Sequence, residues 1–393
     1  MVKMRPNSRV GAIPLSTTLA LDARAKQLIA EGRDVVNMSV GEPEFDAPAA
    51  VQDAASKSVR GGKVRYTPAE GTPALRQAIA DHLKATRGVE YAPNEITVCH
   101  SAKHALSGVL LSLIESGDEV LLILPAWVSY VEIVRYAGGV PVLVKPRADI
   151  GPDLAALERA ITPKTKGILL NSPSNPSGYV MTHAEVRALS EFAARHNLWI
   201  VSDEIYRRLV YEGEPNLSPV SVAPEFKQRT AIIDGASKAF AMTGYRIGFV
   251  AAPQPVAAAV GRLHSQLTGS PNAISQAAYL AALQQEPPEV AAMCAEFQKR
   301  RNILVRGLES IGLRTPQPRG AFYAFPEVSK FLDARGSKGF CEDLLEQQNL
   351  AVVPGSAFEL EGYIRLSYAT SIAQIEAALE RLGRFVATHP RRG

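Results

Sequence analysis

The stretch EITVCHSAKHALSGVLLSLIESGDEVLLIL (95–124) contains two short apolar runs separated by a segment of helical periodicity. Residues 95–99 and 119–124 have the length of buried strands and are bounded by polar and turn residues. Between them, apolar residues from Leu106 to Ile114 recur on one face of a helix. Strand, amphipathic helix and strand together predict a βαβ unit, in which the two strands lie parallel.

The same alternation continues for about 160 residues of the chain. Further strand-like runs are VPVLVK (140–145), KGILLN (166–171), LWIVSD (198–203), TAIID (230–234) and IGFVAA (247–252). Helical patterns such as HAEVRALSEFAARHN (183–197) lie between several of them. The sequence therefore predicts an α/β fold whose mostly parallel sheet is covered by helices on both faces.

The pattern changes near residue 285, where QQEPPE (284–289) supplies two prolines. Beyond it we expect a long helix over 289–312 and strands in GAFYAFPEV (320–328) and GYIRLSYA (362–369). The chain then ends in an amphipathic helix over 371–387. We place a domain boundary between residues 280 and 290.

Composition is that of an ordinary globular protein, with 46% hydrophobic and 21% charged residues among 393. The 43 basic and 39 acidic residues leave a net charge of +4, which does not call for a nucleic-acid partner. Cys99, Cys294 and Cys341 are far apart and form no C-x-x-C pair, which indicates a reducing compartment. The start of the chain has no apolar run typical of a signal peptide, and no run is long enough to cross a membrane. We therefore expect a cytoplasmic protein.

The common catalytic motifs are absent from the chain. It contains no G-x-x-x-x-G-K-[ST], no G-x-G-x-x-G after a strand, no H-E-x-x-H and no G-x-S-x-G. The seven histidines do not cluster at the spacing of metal ligands, and we expect no metal.

Chemically useful side chains instead follow the predicted strands, where parallel sheets place their chemistry. They are His100 to Lys103, Trp127, Asn175, Asp203, Tyr206, Ser237 and Lys238. This set suits pyridoxal 5'-phosphate. Its aldehyde requires a lysine, its ring nitrogen a carboxylate, its phenolic oxygen hydrogen-bond donors, and its phosphate a helix start and an arginine.

The segment SKAFAMTGYRIG (237–248) resembles the cofactor-lysine signature of the aspartate aminotransferase family, class I/II aminotransferases of fold type I. Similar strings occur in order along the chain: VGEPEFDAP (40–48), YTPAEGTPALR (66–76), PAWVSY (125–130), NSPSNPSG (171–178), VSDEIY (201–206) and VVPGSAFE…GYIRLSYA (352–369). The resemblance is to the bacterial branch that handles aspartate and, in some members, prephenate.

The resemblance implies a large domain with a seven-stranded, mostly parallel sheet between helices, plus a smaller α+β domain. We assign residues 1–45 to an N-terminal arm and part of the small domain, 46–285 to the cofactor-binding domain, and 286–393 to the small domain. It also implies a homodimer with shared active sites.

Three roles follow from the resemblance for the catalytic residues. Lys238 forms the Schiff base with the cofactor and moves the proton, Asp203 pairs with the ring nitrogen, and Tyr206 contacts the phenolic oxygen. The other residues implied for the cofactor are Asn175, Trp127, Ser101, Ala102, Lys103, Ser237, Arg246 and, from the neighbouring subunit, Tyr66.

Substrate contacts are implied in the same way. Arg365, helped by Asn175, is expected to bind the α-carboxylate, with Gly41 in the loop that closes over it and Trp127 beside it. Lys103 and Thr18 match positions that bind the distal carboxylate of acidic substrates. The chain departs from the family pattern at Ser101, Ala126, Ser177 and Tyr245, which leaves room for a specialised substrate.

We therefore expect a pyridoxal 5'-phosphate-dependent aminotransferase that works by a ping-pong mechanism. Aspartate or glutamate with a 2-oxo acid is the leading substrate pair, and aromatic substrates or prephenate form a second group. One alternative is a non-transaminating enzyme of the same fold, which would run elimination, oxidation or carbon–carbon bond formation. A ligand-sensing regulator is a second alternative, but we find no segment for a DNA-binding domain.

Overall fold

The computed structural model describes residues 3–15, 17–62, 64–212, 217–285 and 287–388. Its strands are β1 (Val36–Asn37), β2 (Ile96–Cys99), β3 (Glu119–Ile123), β4 (Val140–Val144), β5 (Thr165–Asn171), β6 (Trp199–Asp203), β7 (Thr230–Gly235), β8 (Gly248–Ala251), β9 (Tyr323–Ala324), β10 (Leu350–Ala351), β11 (Val353–Pro354) and β12 (Ile364–Ser367). Its helices are α1 (Ser8–Gly11), α2 (Thr17–Ala30), α3 (Ala49–Arg60), α4 (Pro73–Arg87), α5 (Ala102–Leu113), α6 (Val128–Tyr136), α7 (Leu154–Ala160), α8 (His183–Arg195), α9 (Pro219–Val222), α10 (Ala236–Ala239), α11 (Gln254–Leu267), α12 (Ala273–Gln284), α13 (Pro288–Ser310), α14 (Gly336–Gln348) and α15 (Ile372–Thr388).

A seven-stranded sheet forms the centre of the molecule, in the order β2-β8-β7-β6-β5-β3-β4. β8 is antiparallel to β2 and β7, and the other neighbouring strands are parallel. β8 runs in the opposite direction because only the short helix α10 and a turn connect it to β7, instead of a long crossover helix. The predicted α/β fold with a mostly parallel seven-stranded sheet is confirmed.

Both faces of this sheet are buried except at the edge strand β4, which explains why the other strands are continuous apolar runs. Ile232 of β7 and Phe249 of β8 belong to one hydrophobic cluster, together with residues of α4 and α12. The next residues, Ile233 and Val250, belong to a second cluster that includes α5. Neighbouring side chains of a strand point to opposite faces, so a sheet covered twice needs apolar residues at every position.

The C-terminal part forms a second core around α13, α14, α15 and the small antiparallel sheet β11-β12-β9. Phe297 of α13 and Phe385 of α15 belong to the same buried cluster. Val36 and Met38 also contribute to it, and β1 pairs in parallel with β10. The expected helices over 289–312 and 371–387 correspond to α13 and α15. Among the residues that the structure describes, no helix combines the length and the apolar character needed to cross a membrane.

Candidate active site

A cavity lies beyond the carboxyl ends of β2, β3, β5, β6 and β7, and side chains of β9 and β12 complete its lining. The structure places around it all the residues predicted for the site except Tyr66: Thr18, Gly41, Ser101, Ala102, Lys103, Trp127, Asn175, Asp203, Tyr206, Ser237, Lys238, Arg246 and Arg365. The lining residues from Ser101 to Lys238 meet because the strands before them end at one edge of the sheet, whereas Thr18 and Arg365 are brought to the cavity by α2 and by β12 of the small sheet.

Lys238 follows β7 on the short helix α10, and its Nζ donates a hydrogen bond of 2.5 Å to the Gly41 carbonyl. The pKa of Lys238 is lowered to about 8, mainly by burial and also by nearby cations, while the Glu42 carboxylate opposes the shift. With that pKa, about one amine in ten is neutral at pH 7. Lys238 can therefore act both as a nucleophile and as a base near neutral pH.

Asp203 is buried at the end of β6. Its Oδ2 accepts a hydrogen bond of 2.7 Å from the Tyr130 hydroxyl, and its Oδ1 accepts one of 3.2 Å from the Ile205 N–H. Burial raises the pKa of Asp203 to about 6, although these two bonds favour the charged form. A buried carboxylate of this kind is stabilised when a cation binds beside it, and a protonated ring nitrogen is such a cation.

Arg365 of β12 is 2% exposed and is held from several sides. Its Nη1 donates to Asn175 Oδ1 at 3.0 Å, and its Nη2 donates to the Ser39 carbonyl at 2.6 Å. The guanidinium lies 4.5 Å from the ring centre of Tyr323 and 5.1 Å from that of Phe358. Its Nε is buried and has no hydrogen-bond partner among the described residues. This planar group is therefore fixed in one orientation and can still donate to a carboxylate.

Two further side chains of the cavity are linked to each other. The hydroxyls of Tyr206 and Tyr323 lie 2.8 Å apart, and either can be the donor. Burial raises the pKa of both phenols, so each remains protonated and able to donate at neutral pH. A phenolic or carboxylate oxygen in the cavity would find a donor here.

The start of α5 also lines the cavity. Ser101 adopts φ 117°, a conformation that favours glycine, and its Oγ accepts a hydrogen bond of 3.3 Å from the His104 N–H as the N-cap. β8 runs very close to this turn: a Cβ at Gly248 would lie 2.4 Å from the Ala102 nitrogen. The first N–H groups of a helix lack intrahelical partners and attract anions. Ser237 and Arg246 also line the cavity.

Lys103 and Trp127 both line the cavity and contact each other. The Lys103 Nζ lies 4.7 Å from the centre of the Trp127 ring, a cation–π distance. Burial and then the charge of Arg246 lower the pKa of Lys103. Thr18 reaches the cavity from α2.

Tyr66 is the exception: it is 98% exposed and does not line the cavity of the single chain. This position agrees with the prediction that Tyr66 serves a neighbouring subunit, and that prediction is not tested by one chain.

Sequence reasoning missed several residues of the site. Tyr130 supports Asp203 and lies within the PAWVSY string, which is the signal that would have identified it. Asn171 donates to the Asp203 carbonyl at 3.0 Å and accepts from the Asn175 N–H at 2.9 Å, so it joins two strand ends. The sequence predicts only a strand at Tyr323, whereas the structure places this residue in the cavity lining with its hydroxyl beside that of Tyr206.

These residues fit pyridoxal 5'-phosphate. Lys238 is an amine with a lowered pKa, Asp203 is a carboxylate that favours a cationic partner, and the α5 start is an anion site approached closely by Gly248. Within the described ranges, no three His, Cys, Asp or Glu side chains are grouped to hold a metal ion. Fold and site together are those of a fold type I, pyridoxal 5'-phosphate-dependent enzyme.

Comparison with known proteins supports this class of enzyme. The family model "Aminotransferase class I and II" matches residues 33–382. The aspartate aminotransferase of Geobacillus stearothermophilus is 42% identical over 391 residues, covering 98% of this chain and 99% of that protein. A probable aspartate/prephenate aminotransferase of Thermus aquaticus is 43% identical over 383 residues, covering 96% of this chain and 98% of that protein.

The structure of the aspartate aminotransferase from Thermus thermophilus with maleate superposes with a TM-score of 0.93. It is 41% identical, and the match covers 97% of this chain and 100% of that one. The chain therefore belongs to the class I and II aminotransferase family and is a pyridoxal 5'-phosphate-dependent aminotransferase. The prediction of an aminotransferase with this cofactor is confirmed.

Proposed function

We propose that this aminotransferase exchanges amino groups between the acidic amino acids aspartate and glutamate and their 2-oxo acids, and that aromatic or prephenate-like substrates are a second group. The observation that carries the proposal is the presence of two separate cationic groups for carboxylates, Arg365 and Lys103, in one cavity. The relatives named above, which are aspartate and aspartate/prephenate aminotransferases, support the same substrates.

Pyridoxal 5'-phosphate, when bound, supplies an aldehyde that accepts the amino group and a ring that withdraws electrons from the substrate α-carbon. We assign Asp203 to its ring nitrogen, Tyr206 and Asn175 to its phenolic oxygen, and Trp127 to its ring face. Its phosphate is assigned to the helix-start amides of Ser101, Ala102 and Lys103 and to the side chains of Ser237 and Arg246, which leaves the Lys103 ammonium group free for the substrate. The α5 start favours an anion, which supports the last assignment.

Lys238 is the residue that moves the proton. Its Nζ, with a pKa of about 8, can take a proton from the substrate α-carbon and return one at neutral pH without a large free-energy penalty. The Gly41 carbonyl accepts a hydrogen bond from this amine and so orients it toward the loop of residues 40–48. Gly41 is assigned to the closure of that loop over the substrate.

The two carboxylates of an acidic substrate have different partners. Arg365, fixed by Asn175 and the Ser39 carbonyl, is assigned to the α-carboxylate. Lys103 and Thr18 are assigned to the distal carboxylate. Because Lys103 loses hydration in the cavity, its charge gains from an anionic partner, which favours acidic substrates over apolar ones.

Single additions of amino acids to the purified holoenzyme test the proposal. L-aspartate and L-glutamate should abolish the visible band of the lysine-bound cofactor under air, and 2-oxoglutarate should restore it; L-arginine should do neither. Lys103→Met should raise the concentration of L-aspartate needed to abolish half of the band about tenfold or more. The concentration of L-phenylalanine needed for the same loss should be nearly unchanged. A band that persists in a new form, without amino transfer, would instead indicate a non-transaminating reaction.

A second variant tests the central assignment. Lys238→Ala should lose nearly all turnover and the spectral signature of covalently bound cofactor. Near-normal turnover of this variant would refute the role of Lys238.

We also propose a homodimer with shared sites, in the cytoplasm. Tyr66 is almost fully exposed, as are Met4 and Leu15 of the N-terminal segment, and burial against a second copy would remove this apolar surface from water. The cysteines are unpaired, which suits a reducing compartment. Sedimentation velocity of the holoenzyme tests the dimer, and a single species of 42.3 kDa would refute it.

The proposed division into residues 1–45 with 286–393 and residues 46–285 is supported by the pairing of β1 with β10. Limited proteolysis that cuts first between residues 280 and 290 would agree with it.

A further inference from the structure

A cluster of four charged side chains lies buried behind the active site. It consists of Arg87 at the end of α4, Glu204, Arg207 and Asp234, whose side chains are 2%, 1%, 6% and 0% exposed. We refer to these four residues as the buried charge cluster. None of the four lines the cavity, so the roles assigned above leave the cluster unexplained.

Its members are joined in a chain of contacts. Glu204 Oε2 accepts from Arg87 Nε at 2.9 Å and from Arg87 Nη2 at 2.5 Å. Asp234 Oδ2 accepts from Arg207 Nε at 2.5 Å and lies 3.7 Å from Arg87 Nη2. Two carboxylates and two guanidiniums thus balance in charge, as buried ions must.

Two members of the buried charge cluster belong to the turn that carries two catalytic candidates. Glu204 directly follows Asp203, and Arg207 directly follows Tyr206. Asp203 and Tyr206 line the cavity, whereas Glu204 and Arg207 do not. The cluster therefore anchors this turn from its other side.

The cluster also acts on Asp203 through its charge. Besides burial, the carboxylates of Asp234 and Glu204 raise the pKa of Asp203. The guanidiniums of Arg87 and Arg207 neutralise both carboxylates at contact distance. Because the surroundings exclude water, the loss of one member leaves a charge that is weakly screened at Asp203.

We propose that Arg87 and Glu204 are positioning residues of this aminotransferase, which hold the 203–206 turn and set the electrostatic field at the Asp203 carboxylate. The inference rests on the proposed role of Asp203 as the partner of the cofactor ring nitrogen. Other titratable or charged groups near Asp203 or the buried charge cluster are Tyr91, Tyr130, Tyr206, His82, Arg208 and Tyr279.

The test is the affinity of the full-length, cofactor-depleted protein for pyridoxamine 5'-phosphate between pH 5 and 8. This probe cannot form a covalent bond with Lys238, so the affinity reports non-covalent contacts. Affinity should fall as the pH falls through the pKa of Asp203, because the ring nitrogen then loses its anionic partner. The titrations of the free probe are the same in every variant, so differences between variants report the protein and the bound state.

The two variants are expected to shift this midpoint in opposite directions. Arg87→Met leaves the Glu204 carboxylate uncompensated, so the midpoint should rise by about one pH unit. Glu204→Gln leaves the Arg87 guanidinium uncompensated, so the midpoint should fall by about half to one pH unit. A purely structural loosening would weaken binding in both variants in the same way, without opposite shifts.

Arg301→Met is the matched control. Arg301 is fully buried on α13, and it donates to the Pro318 carbonyl and to Glu212, neither of which lines the cavity. The control also loses a buried cation, and its midpoint should equal that of the unmodified protein.

The outcomes separate the two hypotheses. Unmodified protein that does not bind pyridoxamine 5'-phosphate would overturn the proposed site as a whole. Normal binding with unshifted midpoints, or with shifts of equal sign, would overturn the role of the buried charge cluster only. If Arg87→Met does not fold, Glu204→Gln decides alone, with Arg87→Lys as the variant that keeps the charge and should keep the midpoint.

Discussion

Replacing Arg365 by lysine tests the most specific contact of the site. The change keeps the positive charge but removes the planar fork that Asn175 and the Ser39 carbonyl hold in place. An ammonium group cannot donate two parallel hydrogen bonds to one carboxylate. At least one hydrogen bond to a charged group is lost, which is worth about 1.5–3 kcal/mol.

That free energy sets the size of the effect. At about 1.4 kcal/mol per factor of ten, kcat/KM for L-aspartate should fall about 10- to 150-fold in Arg365→Lys. Most of the loss should lie in substrate binding, because the proton-moving amine of Lys238 is a separate group. Single-turnover kinetics with increasing L-aspartate measure the dissociation constant and the limiting rate independently.

The matched control is Arg314→Lys, which changes an exposed arginine paired with Glu327. It should leave the kinetics unchanged, since exposed ion pairs contribute little. If Arg365→Lys had an unchanged dissociation constant for L-aspartate, Arg365 would not bind the substrate carboxylate. A loss of bound cofactor in that variant would equally contradict the assignment.

Three further predictions concern the cofactor side. Pyridoxal 5'-phosphate should react with Lys238 in the cofactor-free protein at a rate that rises about tenfold per pH unit and levels off above about pH 8. The reason is that only the neutral amine reacts. A rate independent of pH from 6 to 8 would contradict this pKa. Tyr130→Phe removes a hydrogen bond to Asp203 that favours its charged form, so affinity for pyridoxamine 5'-phosphate at pH 7 should fall about tenfold, with fluorescence titration as the measurement. Gly248→Ala would push a methyl group against the Ala102 nitrogen, and equilibrium dialysis should show at least about tenfold weaker cofactor binding; unchanged affinity would place the phosphate elsewhere.

The sequence predicted the central sheet and the residues at its strand ends because both depend on local patterns. Buried parallel strands are continuous apolar runs, and their carboxyl ends meet at one edge. Asp203 and Lys238 could therefore be placed together from the alternation alone. Arg365 and Thr18 lie far from these strands in sequence, and only the resemblance to a known family pointed to them.

Other parts of the site could not be predicted, for physical reasons. Arg87 lies in the last turn of α4, where a basic residue is ordinarily solvated, but here tertiary packing buries it against Glu204. Tyr323 belongs to a strand of two residues, too short for its inward direction to be read from alternation. Tyr66 faces solvent in the single chain, so its role depends on a contact that one chain does not contain.

The charges of the cavity limit which ligands it can bind. Lys103, Lys238, Arg246 and Arg365 line it, whereas Asp203 alone among the described lining residues carries a carboxylate. Burial lowers the pKa of Lys103, Lys238 and Arg365, so each cation is held at a cost that an anionic ligand reduces. The chemical difference between an amine and a guanidinium gives these cations different roles. The Lys238 amine can release its proton near pH 8 and become a base, whereas a guanidinium remains charged at that pH and can only hold an anion. Of these groups, Lys238 is therefore suited to move protons and Arg365 to bind the substrate carboxylate.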